Sequence, residues 1–229
     1  DEKPKADRHT DPGTTFDENL RKFVRESREK GATPVLFSCV VRRNFFNLTP
    51  KNDDDEALSK TTGAKVKPVE GDTLYDTHGD YRYSPMNVAK EMGVTFINAN
   101  QITHDLEQGL GREASKKLHM WFLPGEEPSI PKGRQDNTHY NIYGAHVVAK
   151  LMAEAVGKEI KQLRKHLVSY DLSVASNGIG DYFTPQEAVD KAPANKKTTI
   201  QMFGGSWQKP VVSANKKIKF VMRQGAEWK

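Results

Sequence analysis

Hydrophobic positions along this chain fall into two periods, and their alternation predicts an α/β protein. Residues 15–30 place Phe16, Leu20, Phe23 and Val24 on one side of a 3.6-residue repeat, with Thr15 and Glu18 in capping-box spacing and Gly31 as a stop. An amphipathic helix is expected there. Residues 34–41, PVLFSCVV, form a continuous apolar run, the pattern of a strand covered on both faces in a parallel sheet. Residues 42–80 are charged and without a period, so they predict an irregular excursion with at most short elements. Ser84 as N-cap and Pro85 at the first helical position open a short helix ending near Gly93, and a strand follows at residues 94–98. A further helix is expected over residues 103–118. The stretch MWFLPGEEPSIPKGRQDNTH, with its three Pro and two Gly, reads as a loop into the longest helix, residues 142–167. There Ile142, Ala145, Val148, Leu151, Met152, Ala155, Val156, Ile160 and Leu163 keep close to a helical repeat, so one stripe must face a sheet.

The texture changes after Leu167, and a boundary is expected near Ser169. Residues 172–175 read as a short strand, SNGIGDYF as a turn-rich loop, and Thr184-Pro185-Gln186-Glu187 as a capping box opening a short helix. Residues 198–203 and 217–223 read as strands. In the second, Ile218, Phe220 and Met222 alternate with Lys217, Lys219 and Arg223, so one face is wet. This tail has few apolar anchors and is short for a unit standing alone.

A chain of 229 residues with 36% hydrophobic and 28% charged residues can bury one good core, or one core and a small second unit. No apolar run reaches membrane-span length, and no signal-peptide pattern opens the chain, which starts DEKPKADRHTD. Such a start reads as a mature terminus, a tail or the cut edge of a larger protein. The single cysteine, Cys39, excludes a disulfide within the chain and is expected as a buried structural thiol. The net charge of +5 permits an acidic partner such as nucleic acid, anionic lipid or polyuronate. Acidic residues are interleaved with the basic ones, so most of that charge reads as solvated surface.

Two groups of residues are candidates for chemistry. Asp136 and His139 stand three apart before a helix; in a turn-like backbone the carboxylate can fix the imidazole tautomer, leaving the far ring nitrogen to take a proton from a hydroxyl. The same residues also suit plain helix capping, because Asp-x-x-His is a weak pattern alone. Arg42 and Arg43 follow a predicted strand, where α/β sheets gather ligand contacts, and would pair with a substrate carboxylate; solvated loop arginines are the alternative. The other histidines form no spaced set with Cys or carboxylates that calls for a metal. No Gly-rich loop between strand and helix suggests a nucleotide site, and no cofactor is expected.

DNTHYNIYGAHVVAKLMAEAV resembles the last block of the SGNH/GDSL hydrolases, in which an Asp-x-x-His loop precedes the C-terminal helix. DEKPKADRHTDPGTTFDENLRKFVRESREKGATPVLFSCVVRRNF, LYDTHGDY and MWFLPGEEPSIPKGRQDNTH resemble, more narrowly, rhamnogalacturonan acetylesterase-like enzymes. The resemblance covers residues 1 to about 168. It implies catalytic roles for Asp136 and His139 in a Ser-His-Asp mechanism that removes acetyl groups from pectin. The family's Gly-Asp-Ser nucleophile turn and its oxyanion-hole Gly have no match here, and its Asn donor is expected just before Asp1. A flavodoxin-like SGNH three-layer sandwich lacking its central strands is therefore expected over residues 1–168, as a fragment without its nucleophile.

YDLSVASNGIGDYFTPQEAVDKAPANKKTTIQMFGGSWQKPVV resembles instead the opening of a pectin methylesterase, a right-handed parallel β-helix, over residues 169–229. Together the two resemblances imply a secreted or periplasmic pectin-degrading enzyme, bifunctional when intact, with an acetylated pectic polysaccharide as partner and neither nucleic acid nor a membrane span. The competing expectation is a non-catalytic carbohydrate-binding or interaction module using Trp121, Phe122 and Trp207.

Overall fold

The first amphipathic segment folds as helix α1 (Thr15–Glu29) in a computed structural model that describes residues 8–46 and 73–229. Its expected capping box does not form: Thr14 is the N-cap residue, Thr15 Oγ1 accepts from the Asp11 backbone N–H at 2.8 Å, and the Glu18 carboxylate accepts from Arg25 at 2.8 Å. Charge pairing along the same helix has taken the Glu that a box would use. Val24 is fully buried, and Gly31 ends the segment at φ 75°.

Strand β1 (Val35–Phe37) is shorter than the apolar run that contains it, and Phe37 is 40% exposed, so it is not covered on both faces. The chain leaves the ladder because Ser38 and Val41 are caught elsewhere. The Ser38 hydroxyl accepts from the Asn100 backbone at 2.9 Å, and the Val41 N–H donates to Thr103 Oγ1 at 2.9 Å. Cys39, expected to be buried, is only half-buried. Beyond it β2 (Phe45–Phe46) pairs antiparallel with β3 (Thr73–Leu74), closing a small core of Val41, Phe45 and Leu74. Residues 47–72 of the expected excursion lie outside the described residues.

A single 3₁₀ turn (Gly79–Arg82) leads to α2 (Ser84–Met92), in which Ser84 is already helical and Tyr83 is the N-cap; Gly93, at φ 60°, supplies the left-handed stop. Strand β4 (Thr95–Ile97) then pairs parallel with β1, Val35 opposite Thr95 and Phe37 opposite Ile97. Arg21 grips Glu91 at 2.9 Å and Arg28 donates to the Met92 carbonyl at 2.9 Å, which registers α1 along α2. Helix α3 (Ala99–Ser115) starts earlier than the apolar period suggests, since the Asn98 side chain caps it, accepting from the Gln101 N–H at 3.1 Å. Non-helical backbone at Gly111 kinks it, and a 3₁₀ turn (Lys116–Leu118) follows.

The segment read as a loop is a hairpin: β5 (His119–Phe122) pairs antiparallel with β6 (Arg134–Tyr140). Its Pro and Gly residues occupy the connection between the strands, where they hide two short β-segments from a composition-based reading. Helix α4 (Ile142–Glu159) ends before Leu167, and a separate turn, α5 (Lys161–Arg164), follows non-helical backbone at Ile160. The Gly157 carbonyl accepts from Arg164 Nε at 3.0 Å instead of continuing the helix ladder.

The remaining strands are β7 (Leu172–Val174), β8 (Lys197–Met202), β9 (Gly205–Trp207), β10 (Lys217–Met222) and β11 (Ala226–Trp228), with helix α6 (Pro185–Lys191) between β7 and β8 behind the expected Thr184–Glu187 capping box. β10, β8 and β7 form one parallel sheet, while β9 and β11 form another. Lys197 stands opposite Lys217 and Gly205 opposite Ala226, so the chain repeats its course about one twenty-residue step later. Val174, Val189, Ile200, Met202 and Trp207 make a core here; Trp207 is 6% exposed and donates to the Phe203 carbonyl at 3.0 Å. That burial corrects the expectation of Trp207 as a sugar-binding surface residue. The whole is a mixed α/β arrangement of helices and small sheets, and no described helix is long and apolar enough to cross a membrane.

Helix α4 closely approaches the 3₁₀ turn before β5 at Gly144. A Cβ on Gly144 would lie 1.9 Å from the Leu118 carbonyl oxygen, a backbone atom that cannot swing aside. Gly144→Ala is expected to cost on the order of 1–3 kcal/mol by overpacking. Urea unfolding of the two proteins checks this; equal midpoints and slopes would show that α4 does not sit on Leu118 so closely.

Candidate active site

Asp136 lies on β6 opposite Met120, whereas Tyr140 lies opposite His119, so residues 137–139 bulge out of the hairpin at the His119/Met120 step. The bulge is shaped by Asp136 itself. Its Oδ1 accepts from the backbone N–H groups of Thr138 at 2.8 Å and His139 at 2.9 Å, and its Oδ2 faces His139 Nδ1 at 2.9 Å and Arg134 at 2.5 Å. Asp136 and His139 thus stand on a bulged strand, not in the free loop that the Pro and Gly content predicts.

The carboxylate is 12% exposed and the imidazole 67%. Burial works against ionising Asp136. Hydrogen bonds from the His139 and Thr138 backbone, from the His139 ring and from Arg134 outweigh it and hold its pKa at about 2. An ionised carboxylate can only accept, so Nδ1 is the donor, and Nε2 of the neutral ring carries the free lone pair. No Ser, Thr or Cys side chain among the described residues is hydrogen-bonded to that ring.

What holds the bulge is Asn137, 4% exposed and pointing inward. Its Oδ1 accepts from Arg43 at 2.8 Å and from Trp121 Nε1 at 2.8 Å, and its carbonyl accepts from the Arg43 backbone at 2.9 Å. Arg43 is completely buried; it also donates to Ser115 Oγ at 2.8 Å and to the Arg112 carbonyl, between the rings of Phe45 and Trp121. The expectation that Arg43 meets substrate does not fit this burial, and its guanidinium instead fixes the bulge. Arg42 is half-buried and donates to Thr77 Oγ1 at 3.3 Å, beside a second acid–imidazole pair, Asp76 and His78, 3.0 Å apart. Burial disfavours the charged form of His78, but hydrogen bonds to Asp76 and Cys39 raise its pKa to about 9.

Behind the bulge, Tyr140 donates to Glu107 at 3.1 Å, and Glu107 pairs with His119 at 3.0 Å, both fully buried. Burial and the Glu107 carboxylate push the Tyr140 phenol well above its usual range, so it remains a donor. Asn141 caps α4 by accepting from the Gly144 N–H at 2.8 Å and donates to the His119 carbonyl at 2.8 Å. Sequence reasoning missed Asn137, Glu107, His119, Tyr140 and Asn141. Only Asn141, an Asn directly before a helical run, carried a local signal. Trp121, expected at a binding surface, supports Asn137 instead. No cluster of three or more His, Cys, Asp or Glu among the described residues could hold a metal ion.

A carboxylate held at about 2 against an ordinary value near 3.9 contributes stability that is present above the ordinary value and lost as pH falls through about 2. Asp136→Asn is therefore expected to lower stability by on the order of 1–2 kcal/mol at pH 6 and by almost nothing at pH 2. Urea unfolding at both values checks it; a difference that persists undiminished at pH 2 would rule out the ionised pair as its source.

The chain is similar to rhamnogalacturonan acetylesterase RhgT of Bacillus subtilis, 36% identical over 169 residues, covering 74% of this chain and 62% of that protein. It is also similar to the probable rhamnogalacturonan acetylesterase YesY of Bacillus subtilis, 26% identical over 157 residues, covering 67% of this chain and 56% of that protein. The chain thus spans about three fifths of the length of these curated relatives. No family model and no solved structure matches it. These likenesses support a rhamnogalacturonan acetylesterase-like region in this chain.

Proposed function

We propose that Asp136 and His139 are the acid–base pair of a serine acetylesterase acting on acetylated pectic polysaccharide. The observation that carries this is the exposed imidazole whose Nδ1 donates to a half-buried, ionised carboxylate at 2.9 Å, leaving Nε2 toward solvent chemistry. In the intact enzyme a serine oxygen attacks the acetyl carbonyl while His139 Nε2 takes the hydroxyl proton, and Asp136 stabilises the imidazolium. His139 then returns the proton to the departing sugar oxygen. Water, deprotonated in turn by His139, releases acetate and restores the serine. The names of the two relatives support the substrate class.

The serine is not supplied by any Gly-Asp-Ser turn in these 229 residues, and this reading places it in a nucleophile-bearing segment of a longer protein. On the same reading, residues 1–168 belong to a flavodoxin-like SGNH domain. Residues 169–229 open a right-handed parallel β-helix like that of a pectin methylesterase, which the two parallel ladders a twenty-residue step apart support. An enzyme for such a polymer works outside the cytoplasm, and Arg42 is the residue left to meet a substrate carboxylate. Of the three aromatics in the non-catalytic binding-module reading, Trp207 is buried, while Trp121 and Phe122 are half-buried.

The test compares this chain with a version extended through a Gly-Asp-Ser turn, on an acetylated chromogenic ester and on acetylated rhamnogalacturonan. The extended protein is expected to turn over. His139→Ala should lower its kcat roughly 1,000-fold or more, and Asp136→Asn should also lower it strongly. Unimpaired turnover in His139→Ala, or equal and substantial activity in the 229-residue chain, would overturn the assignment.

A further inference from the structure

Along α4 from His146 to Lys158, the helix, the 164–170 connection and the parallel sheet of β8 and β10 enclose an open groove of about 740 Å³. That volume lies within the ~300–1,000 Å³ of ordinary small-ligand sites. Four cations from three different elements line it: Lys150 and Lys158 on α4, Arg164 at the end of α5 and Arg223 just after β10. Glu154 is the one carboxylate on the same wall. Lys158, Arg164 and Arg223 are exposed, and among the described residues none of the four forms an ion pair. With one carboxylate against four cations the surplus of like charge is repulsive, a cost that an anion in the groove removes.

The groove is not merely charged. Tyr170 and Phe203 also line it, and Lys150 holds Tyr170: its Nζ donates to the Tyr170 carbonyl at 2.8 Å and lies 4.1 Å from the ring centroid. His146 packs edge-on against Phe203, ring centroids 5.4 Å apart. Gly157 lets the connection lie close, because a Cβ there would meet Leu167 Cδ1 at 2.2 Å. Guanidinium and ammonium heads suit carboxylates, and aromatic faces suit the C–H faces of sugar rings. A ligand that offers both, repeated along a chain, is a polyuronate.

We infer that this groove binds a free-carboxylate uronic-acid oligosaccharide, at a site separate from the Asp136–His139 pair. The choice of sugar rests on the pectic reading above. The binding itself does not involve His139, so failure of one leaves the other standing. Bound polymer would be held through de-esterified uronates while acetyl groups elsewhere on it are presented for hydrolysis.

Titration calorimetry on the 229-residue chain tests the inference, with oligogalacturonate as probe, the fully methyl-esterified oligomer of equal length, and single-stranded DNA of equal charge. Oligogalacturonate is expected to bind and to weaken with added salt, while methyl-esterification costs roughly tenfold or more in Kd. Lys158→Glu combined with Arg223→Glu should cost a similar factor with unchanged circular dichroism, since both side chains are exposed. Lys209→Glu, outside the groove, should leave Kd unchanged. No binding, equal binding of the methyl ester, equal or tighter binding of DNA, or an unchanged Kd in the double variant would each overturn it. If the double variant loses its fold, Lys158→Gln with Arg223→Gln decides by the same criterion.

Discussion

A completely buried guanidinium holds together the part of this molecule that carries its candidate chemistry. Taking the Arg43 charge out of water costs several kcal/mol unless its donors are met. They are met by groups far away in sequence: Ser115 and the Arg112 carbonyl at the end of α3, and Asn137 in the hairpin bulge. Satisfying one charge therefore fixes three segments relative to each other. Asn137 is pinned by both its side chain and its carbonyl, and it must face inward. Asp136 and His139, on either side, are left to close on each other at the rim.

The same constraint explains why so much of the site was opaque in the sequence. An Arg-Arg-Asn after a strand looks like a ligand-facing loop, and nothing local tells Arg42, half-buried at the surface, from Arg43, sealed beneath it. The partners that decide it lie 72 and 94 residues on. Glu107 and His119 are equally silent, because a buried pair on a helix and a strand has no fixed spacing. Asp136 and His139 were legible because their contact is local, three residues apart, and shaped by the Asp's own hydrogen bonds to Thr138 and His139.

The fold divides along similar lines. Helices α1, α2 and α4 and strands β4, β8 and β10 follow periods that persist over enough residues to be read, and Gly31, Gly93 and the Thr184–Glu187 box punctuate them as their backbone angles require. Elsewhere tertiary contacts override pattern. Ser38 and Val41 leave the sheet for the start of α3, so an eight-residue apolar run yields a three-residue strand. Glu18 pairs with Arg25 in place of a cap, and the hairpin hides behind the Pro and Gly of its own turn.

Helix α4 joins what the two ends of the chain contribute. Its first turn, capped by Asn141 and pressed against Leu118, abuts the bulge that carries His139; from His146 to Lys158 it forms a wall of the cationic groove. At ~1.5 Å per residue, the groove wall begins roughly 8 Å along the helix from Asn141, at His146, and its cationic end at Lys158 lies roughly 25 Å from Asn141. A helix is stiff over that length, so the separation between imidazole and cationic end is set by the fold and not by a hinge. One sugar residue cannot occupy both the imidazole and that end. A polymer can, and once one stretch of it is held in the groove, another reaches the imidazole as an intramolecular partner, at an effective concentration set by the length between them. The groove would then act on the apparent affinity for long chains and leave the turnover of a small acetyl ester untouched, which is the kinetic signature that separates an anchoring site from part of an ester-binding cleft.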